Sequence, residues 1–530
     1  NTFWLEIIMI KKLFILFKIA RKLAISDAIK IISKTHNPPT TIKILFYFLS
    51  LSFSSKNNQS QKIKDEERLC KSIENMGPTF IKLGQFLATR PDIIGEDLSN
   101  QLEKLQDRVP SFPLKEAKKI VKRNLGDKIF ESITSFSDPV AAASIAQVHK
   151  VQINDNGVIK DAAIKILRPN IKKIFNEEID SLMLLAYLIE NLIKKTKRLK
   201  LVEVVYLLKE ITNHEMDLRF EAAAANEFSE NTENDLGFIV PKIYWNYTSE
   251  EVLTLDWIDG ISIREKEKLE NLKIDVNKIA SDIIQHFLRH AVRDGFFHAD
   301  MHQGNLFIDN KGQIVTIDFG IMGRIDKLNR RYLAEILYGF IQRDYKKVAE
   351  VHIMAGLVPQ SVHVDELSQA LRSIGEPIFG QSVKDISGGR LLKQLFDITE
   401  KFNMQTQPQL LLLQKTMVVV EGVARKLNPS TNIWDTSKPV LEKWLKETKD
   451  PLSNLTETLK DSSEVLKRLP ELPKIMDKAN QALTYLASGQ IPQNSNSYSS
   501  FKEKVLEMKS FKNQSIIGIL LLVIIGFIVF

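Results

Sequence analysis

Three short stretches carry residues whose types and spacing suit one chemistry. "FFHADMHQGNLFI" (residues 296–308) holds two histidines, an aspartate and an asparagine, with Asp300 and Asn305 five residues apart. "VTIDFG" places Asp318-Phe319-Gly320 so that Asp318 follows Asp300 by 18 residues. "AAIKIL" sets Lys165 in the middle of an alternating run well upstream. Transfer of a phosphoryl group needs little covalent help. It needs a cation on the phosphates, oxygens that hold a metal, and a carboxylate at the acceptor. Lys165 fits the first role, Asn305 and Asp318 the second, and Asp300 the third. The metal expected is Mg²⁺, bound through oxygens. The rival reading of the loop is a metal held by His298, Asp300 and His302. Spacing to Lys165 and Asp318 favours phosphoryl transfer, with His298 bracing the loop backbone.

Rigid elements must hold these residues in place. From Asp138 the chain turns to short β-rich runs: "IAQVHKVQI", a turn at "NDNG", then "AAIKIL", which together read as a hairpin. Residues 171–228 read as helical, and "FIVPKIYW" and "EVLTLDWI" as two further strands. From Val276 onward the pattern is mostly helical, broken by short strands at "NLFID" and "QIVTIDFG". A small β-rich lobe followed by a large α-rich lobe leaves a cleft between them, a usual ligand site. The lysine, D-x-x-x-x-N and D-F-G stand in the order found in protein kinases.

Composition narrows the setting. The 530 residues are 44% hydrophobic and 26% charged, with a net charge of +8. A basic excess suits nucleic acid or an anionic membrane. The basic residues near the start (Lys11, Lys12, Lys18, Arg21, Lys22) are mixed with apolar ones, which reads equally as a basic amphipathic helix on a membrane or a helix packed on the protein's own body, and argues against nucleic acid. Residues 516–530, "IIGILLLVIIGFIVF", carry no charge and follow Lys509 and Lys512, as an anchor at a cytoplasmic boundary would. Cys70 is the one cysteine, so no intramolecular disulfide forms, and it is expected as an inert surface or semi-buried thiol.

The sequence resembles the UbiB family of atypical, protein-kinase-like proteins needed for ubiquinone biosynthesis. "GPTFIKLGQFLATRPD" (residues 77–92) carries the family's K-x-G-Q as Lys82, Gly84 and Gln85. "LQDRVPSF" follows, and "PVAAASIAQVH" (residues 139–149) matches the alanine-rich nucleotide loop. "HEMDLRFEAAAANEF" holds E-x-D as Glu215 and Asp217, then Glu221. "LTLDWIDG" resembles the hinge and "LLLQKTMVVVEGVARKLNP" the core helix of the large lobe. The resemblance covers roughly residues 64–429.

It implies an α+β, two-lobed protein-kinase-like fold with an N-terminal helical extension and a C-terminal transmembrane helix. The segments expected are membrane-associating residues 1–60, the extension at 61–135, the small lobe at 136–258, the large lobe at 259–445, a tail and linker at 446–512, and the anchor at 513–530. It implies ATP or ADP as the nucleotide with Mg²⁺. The nucleotide would lie against Val140, Ala141, Ala142, Ala143, Ser144, Ile145, Ala146, Gln147 and Val148, with Lys165 paired to Glu221. That loop has alanines where ordinary kinases have glycines, so its backbone approaches phosphate less freely. Glu221 lies 56 residues beyond Lys165, so about two extra helices must intervene; spacing alone does not select it over Glu210 or Glu215. Lys82, Gly84 and Gln85 would cover the cleft, with Glu215 and Asp217 as polar partners of Lys82. This arrangement, and the lack of A-P-E after Asp318-Phe319-Gly320, argue against protein substrates. The partners implied are membrane lipid, prenylated phenolic intermediates, other ubiquinone-synthesis enzymes, and in one version a second copy of the chain. The location implied is the bacterial inner membrane with a cytoplasmic catalytic domain. Two alternatives remain: a nucleotide-binding scaffold without turnover, and a polyprenylphenol hydroxylase, against which stand the absence of G-x-G-x-x-G and of any Glu-x-x-His.

Overall fold

A computed structural model describes residues 65–88, 96–102, 105, 109–155, 157–192, 200–380, 401–402 and 408–449. The expected membrane-associating segment and C-terminal anchor lie outside the described residues. Among the described residues no helix is long and apolar enough to cross a membrane.

Three helices open the described chain: α1 (Asp65–Met76), α2 (Pro78–Ala88) and α3 (Glu96–Leu102). Their apolar faces meet around Cys70, Ala88, Leu102 and Leu105. Cys70 is thereby buried, not on the surface, and its thiol donates to the Gln101 carbonyl at 3.2 Å. Helices α4 (Leu114–Leu125) and α5 (Asp127–Glu131) lead into the small lobe.

The small lobe is an antiparallel sheet of β1 (Ile133–Ala142), β2 (Ala146–Asp155), β3 (Val158–Leu167) and, beyond three helices, a later strand. The β2–β3 turn contains Gly157 at φ +88°, and its amide is held by the Asn154 side chain at 2.8 Å. Strand alternation then decides what faces where. Ala162, Ile164 and Ile166 pack with Ala117, Ile120 and Val121 of α4. Lys165 therefore stands on the opposite face, paired across the sheet with Val148 and Leu253.

Helices α6 (Ile171–Leu192) and α7 (Leu201–Glu215) occupy the gap before α8 (Leu218–Thr232). The stretch "FIVPKIYW", read as a full strand, behaves otherwise. It splits into β4 (Phe238–Ile239), which pairs in parallel with a large-lobe strand, and a single antiparallel bridge from Ile243 to Leu255. Pro241 has no N–H to continue a ladder, and Trp245–Tyr247 closes into a 3₁₀ turn. Strand β5 (Val252–Asp256) returns to the small-lobe sheet beside β3.

After β6 (Gly260–Ser262) and α9 (Lys266–Asn271), the large lobe is built on α10 (Val276–Arg289). Asp275 caps α10 by accepting from Asn277 and Lys278 amides, and Val276, Ile279, Ala280, Ile283, Ile284 and Phe287 form its buried face. One π-turn (His290–Asp294) ends at Gly295, and β7 (Phe296–His298) delivers the catalytic-loop candidate. Strands β8 (Leu306–Asp309) and β9 (Ile314–Thr316) lie beyond the loop; β10 (Met322–Arg324) returns antiparallel to β7. Helices α11 (Lys327–Ile341), α12 (Tyr345–Met354), α13 (Val364–Gly380), α14 (Pro408–Leu427) and α15 (Ile433–Lys449) complete it.

Gly295 has φ +65°, and a Cβ there would meet the Ile325 carbonyl oxygen at 2.3 Å. Backbone on both sides of that contact leaves nothing cheap to move. Gly295→Ala is expected to cost about 2 kcal/mol or more, read as a lower denaturant midpoint. An unchanged midpoint would show that the turn relaxes freely.

Candidate active site

The centre of the site is a three-way ion cluster. Lys165 on β3 donates to both carboxylate oxygens of Glu221, at 2.8 and 2.9 Å, and to Asp318 Oδ1 at 3.1 Å. Glu221 is buried and Lys165 mostly so, while the Asp318 side chain is 49% exposed. Burial alone would push the ammonium toward neutrality; the carboxylates of Asp318 and Glu221 outweigh it and hold the Lys165 pKa above its usual value. Burial pushes Glu221 up, whereas the ammonium of Lys165 keeps Asp318 well below the usual carboxylate range. Asp318 takes a left-handed backbone, φ +63°, uncommon for a non-glycine residue.

Local capping places Glu221. The Asp217 side chain accepts from the Arg219 amide at 3.1 Å and from the Arg219 guanidinium at 2.9 and 2.6 Å. It starts α8 one turn before Glu221. This corrects the expectation that Asp217 serves Lys82: its carboxylate is spent on the helix cap. Glu215, at the end of α7, is the partner of Lys82, at 2.8 Å, and both are mostly buried. The Lys82 ammonium also helps hold Asp318 ionised. Gly84, two residues on in α2, lies where a Cβ would sit 2.3 Å from Leu105 Cδ1, so its lack of a side chain admits Leu105. Gln85 is half-buried on the same helix.

The loop after β7 is tied at each end. His298 Nδ1 accepts from the Asp300 amide at 3.1 Å and its Nε2 donates to the Ile317 carbonyl at 3.2 Å. Both ring nitrogens are thus committed to backbone, which rules His298 out as a metal ligand in this arrangement. The Ile317 amide donates to the Asn305 carbonyl at 3.0 Å, setting Asn305 beside the residue that precedes Asp318. Asn305 Nδ2 donates to the Asp300 carbonyl at 3.0 Å and carboxylate at 3.3 Å. Those bonds leave its amide oxygen, the atom a hard cation takes, on the other side. Thr416 of α14 donates to the Ala299 carbonyl at 3.1 Å. The donor set of Asn305 and Asp318 oxygens fits Mg²⁺ and suits no soft metal.

The alanine-rich stretch is neither helix nor loose loop. Residues 140–142 end β1, residues 143–145 turn, and residues 146–148 begin β2, with the Ala143 amide donating to the Ala146 carbonyl at 2.8 Å. Val140 and Ala141 are exposed and Ala142, Ala143 and Val148 half-exposed, while Ser144, Ile145 and Ala146 are buried. Gln147, expected at the nucleotide, has its side chain turned into the lobe: it accepts from the Phe112 amide at 2.9 Å and reaches His149 Nε2 at 2.9 Å.

An ABC1 atypical kinase-like domain model matches residues 104–352, and a UbiB helical domain model matches residues 371–432. A protein of Marinobacter nauticus called "Probable protein kinase UbiB" is 38% identical over 447 residues, spanning 83% of this chain and 80% of its own. Its namesake in Pseudomonas paraeruginosa is 37% identical over 413 residues, spanning 77% and 76%. The chain belongs to the UbiB family of ABC1 atypical kinase-like proteins. Its fold is protein-kinase-like, of mixed helix and sheet. A solved structure of Rv3197 with erythromycin, from Mycobacterium tuberculosis, aligns with 68% of the chain and 90% of its own at a TM-score of 0.46 and 24% identity.

One polar cluster of this UbiB-family chain escaped the sequence reading. Asp235, His286 and His290 converge beneath α8, all buried, with ligand atoms close enough to hold a metal. The carboxylate is already taken, however: Arg293 donates to Asp235 at 2.6 and 3.0 Å and His290 Nε2 at 3.0 Å. Burial opposes ionisation of Asp235, but His290 and Arg293 hold it well below the usual carboxylate range. The cluster is therefore a structural ion-pair network. The only sequence sign was the four-residue spacing of His286 and His290 on an apolar helix. His290 packs edge-on against Phe228 of α8 at 5.0 Å, Phe228 lies 6.2 Å from Phe319, and Phe319 lies 5.6 Å from His298. A continuous ring stack thus joins the helix of Glu221 to Asp318-Phe319-Gly320 and the catalytic-loop candidate.

Burial lowers the pKa of His290 and pushes His286 down to about 3. In the unfolded chain both would take a proton below their ordinary value of 6.5. Their contribution to stability is therefore full above that pH and is lost as pH falls toward the folded values. Urea midpoints at about pH 7 and about pH 5.5 should differ, and His286→Gln should flatten the difference by up to about 1.4 kcal/mol per pH unit. An identical slope in wild type and variant would contradict a neutral buried His286.

Proposed function

We propose that this chain is a membrane-associated atypical kinase-like ATPase that supports ubiquinone biosynthesis. On this reading it acts on or around prenylated phenolic intermediates or the enzymes that process them, at the bacterial inner membrane with its catalytic domain cytoplasmic. The observation that carries the reading is the cluster of Lys165, Glu221 and Asp318 directly above a loop holding Asp300 and Asn305.

Bound Mg²⁺ would neutralise charge developing on the phosphates. Asn305 and Asp318 would hold it through oxygen. Lys165 directs its ammonium at the phosphates, and Glu221 stops the side chain from swinging away. Asp300 is half-exposed and is oriented through its own carboxylate by Asn305 Nδ2. It would accept a proton from the attacking water or hydroxyl. Exposed Val140 and Ala141, with Ala142 and Ala143, form the roof, and their side chains limit how closely backbone amides approach phosphate.

Two features favour a non-protein acceptor. Lys82 of the extension reaches the cleft and pairs with Glu215 there. Beyond Gly320 the chain enters β10 at Met322 and α11 at Lys327, so no long segment exists on which a peptide could lie. Lipid and other ubiquinone-synthesis enzymes are the partners proposed.

Phosphate release from ATP should require Mg²⁺ and rise with liposomes carrying a phenolic prenyl-precursor mimic. Asp318→Asn and Lys165→Ala should each lower the rate by about a hundredfold or more. Undiminished turnover in both variants would sink the proposal.

A further inference from the structure

The stretch just ahead of α4, residues 109–112, touches the alanine-rich turn through two side chains. Arg168, three residues beyond Lys165, spreads its guanidinium over three carbonyls. Its Nε and Nη2 donate to Ala143 O at 3.0 and 2.7 Å. Its Nη1 donates to Pro110 O at 2.8 Å and its Nη2 to Val109 O at 3.0 Å. Its ring-facing side also stands 5.9 Å from the centroid of Phe112. Gln147 makes the second tie, pairing with both the amide and the carbonyl of Phe112, at 2.9 and 3.2 Å. Main-chain bonds fix the turn from below as well: the Arg168 amide donates to Ile145 O at 2.8 Å.

A planar fork with five donors is suited to bridging carbonyls of separate segments; a lysine is a point charge on a flexible stem and cannot span them the same way. The carbonyls here belong to two segments far apart in sequence. One carries the exposed roof of the cleft. The other is the covalent continuation of the extension, whose Leu105 seats on Gly84 of the helix that bears Lys82.

We propose that Arg168 is a positioning residue for the nucleotide. It locks the conformation of residues 141–147 to residues 109–112, so that the roof of the cleft takes its shape from where the extension sits. This rests on the reading that nucleotide lies beneath residues 140–148.

Hydrogen exchange on the full chain without nucleotide tests the lock, and binding of a fluorescent ADP analogue with Mg²⁺ tests its consequence. In Arg168→Gln, amides of residues 141–147 and of Val109, Ser111 and Phe112 should exchange about tenfold faster together while α10 keeps its protection, and nucleotide affinity should fall about tenfold. Arg168→Lys should behave like Arg168→Gln. Leu105→Ala, which loosens the far end, should also speed exchange at residues 141–147. The proposal is overturned if Arg168→Gln leaves the turn at wild-type exchange, if protection falls across the whole small lobe and α10 alike, if Arg168→Lys matches wild type, or if Leu105→Ala frees residues 109–112 alone. Failure of the wild type to bind nucleotide would refute the underlying reading of the cleft and with it the nucleotide role of Arg168; exchange unlinked between the segments, with normal binding, would refute the lock alone.

Discussion

A lysine that must remain charged inside a protein constrains everything around it. Lys165 leaves water only because Glu221 meets it with both oxygens. Removing one partner of such a buried pair would cost about 3–5 kcal/mol, since the other charge stays behind. The strand has to present Lys165 on the face away from α4, and α8 has to begin where Glu221 points back at it. The Asp217 cap secures the second requirement and the alternation of Ala162, Ile164 and Ile166 the first. Asp318 joins from the large lobe as a third member, so the ammonium also fastens one lobe to the other.

The large lobe meets this demand with rings and backbone bonds. His298 spends both nitrogens on the main chain, and Phe319, Phe228 and His290 continue the contact into a buried network around Asp235. Glu221 and Phe228 share one helix, so the aromatic stack and the ion cluster fix the same object from two sides. Polar side chains that look like ligands in isolation serve here as struts.

Much of the site could be read in the sequence because its spacing is local. Asp300, Asn305 and Asp318 lie within one strand–turn–strand unit, and Lys165 follows a hairpin with clear turn chemistry. Glu221 was reachable through family resemblance alone, since three acidic residues compete across a gap filled by α6 and α7. Asp217 was misassigned because an aspartate at a helix start competes for the backbone amides of its own helix, which pattern reading does not weigh. Gln147 was placed at the nucleotide by its position in a motif, whereas strand alternation turns it inward to Phe112. The cluster of Asp235 with His290 was missed because 55 residues separate two groups that meet only in the fold. The strand reading of "FIVPKIYW" is interrupted at Pro241, where a missing donor outweighs apolar composition and leaves only Ile243 to bridge to Leu255. The two-lobed order of sheet and helices was legible; the way α4 closes the outer face of the sheet was not.

The corner between α7 and α8 has a mechanical consequence. Glu215 ends one helix and Glu221 sits in the first turn of the next, so the grip on Lys82 and the grip on Lys165 hang from a single bend. A rotation of α8 large enough to part Glu221 from Lys165 would drag the hold on α2 with it. The pairs made by Lys82 and by Lys165 are thereby coupled through one short corner of backbone, so that a shift of the corner acts on both at once.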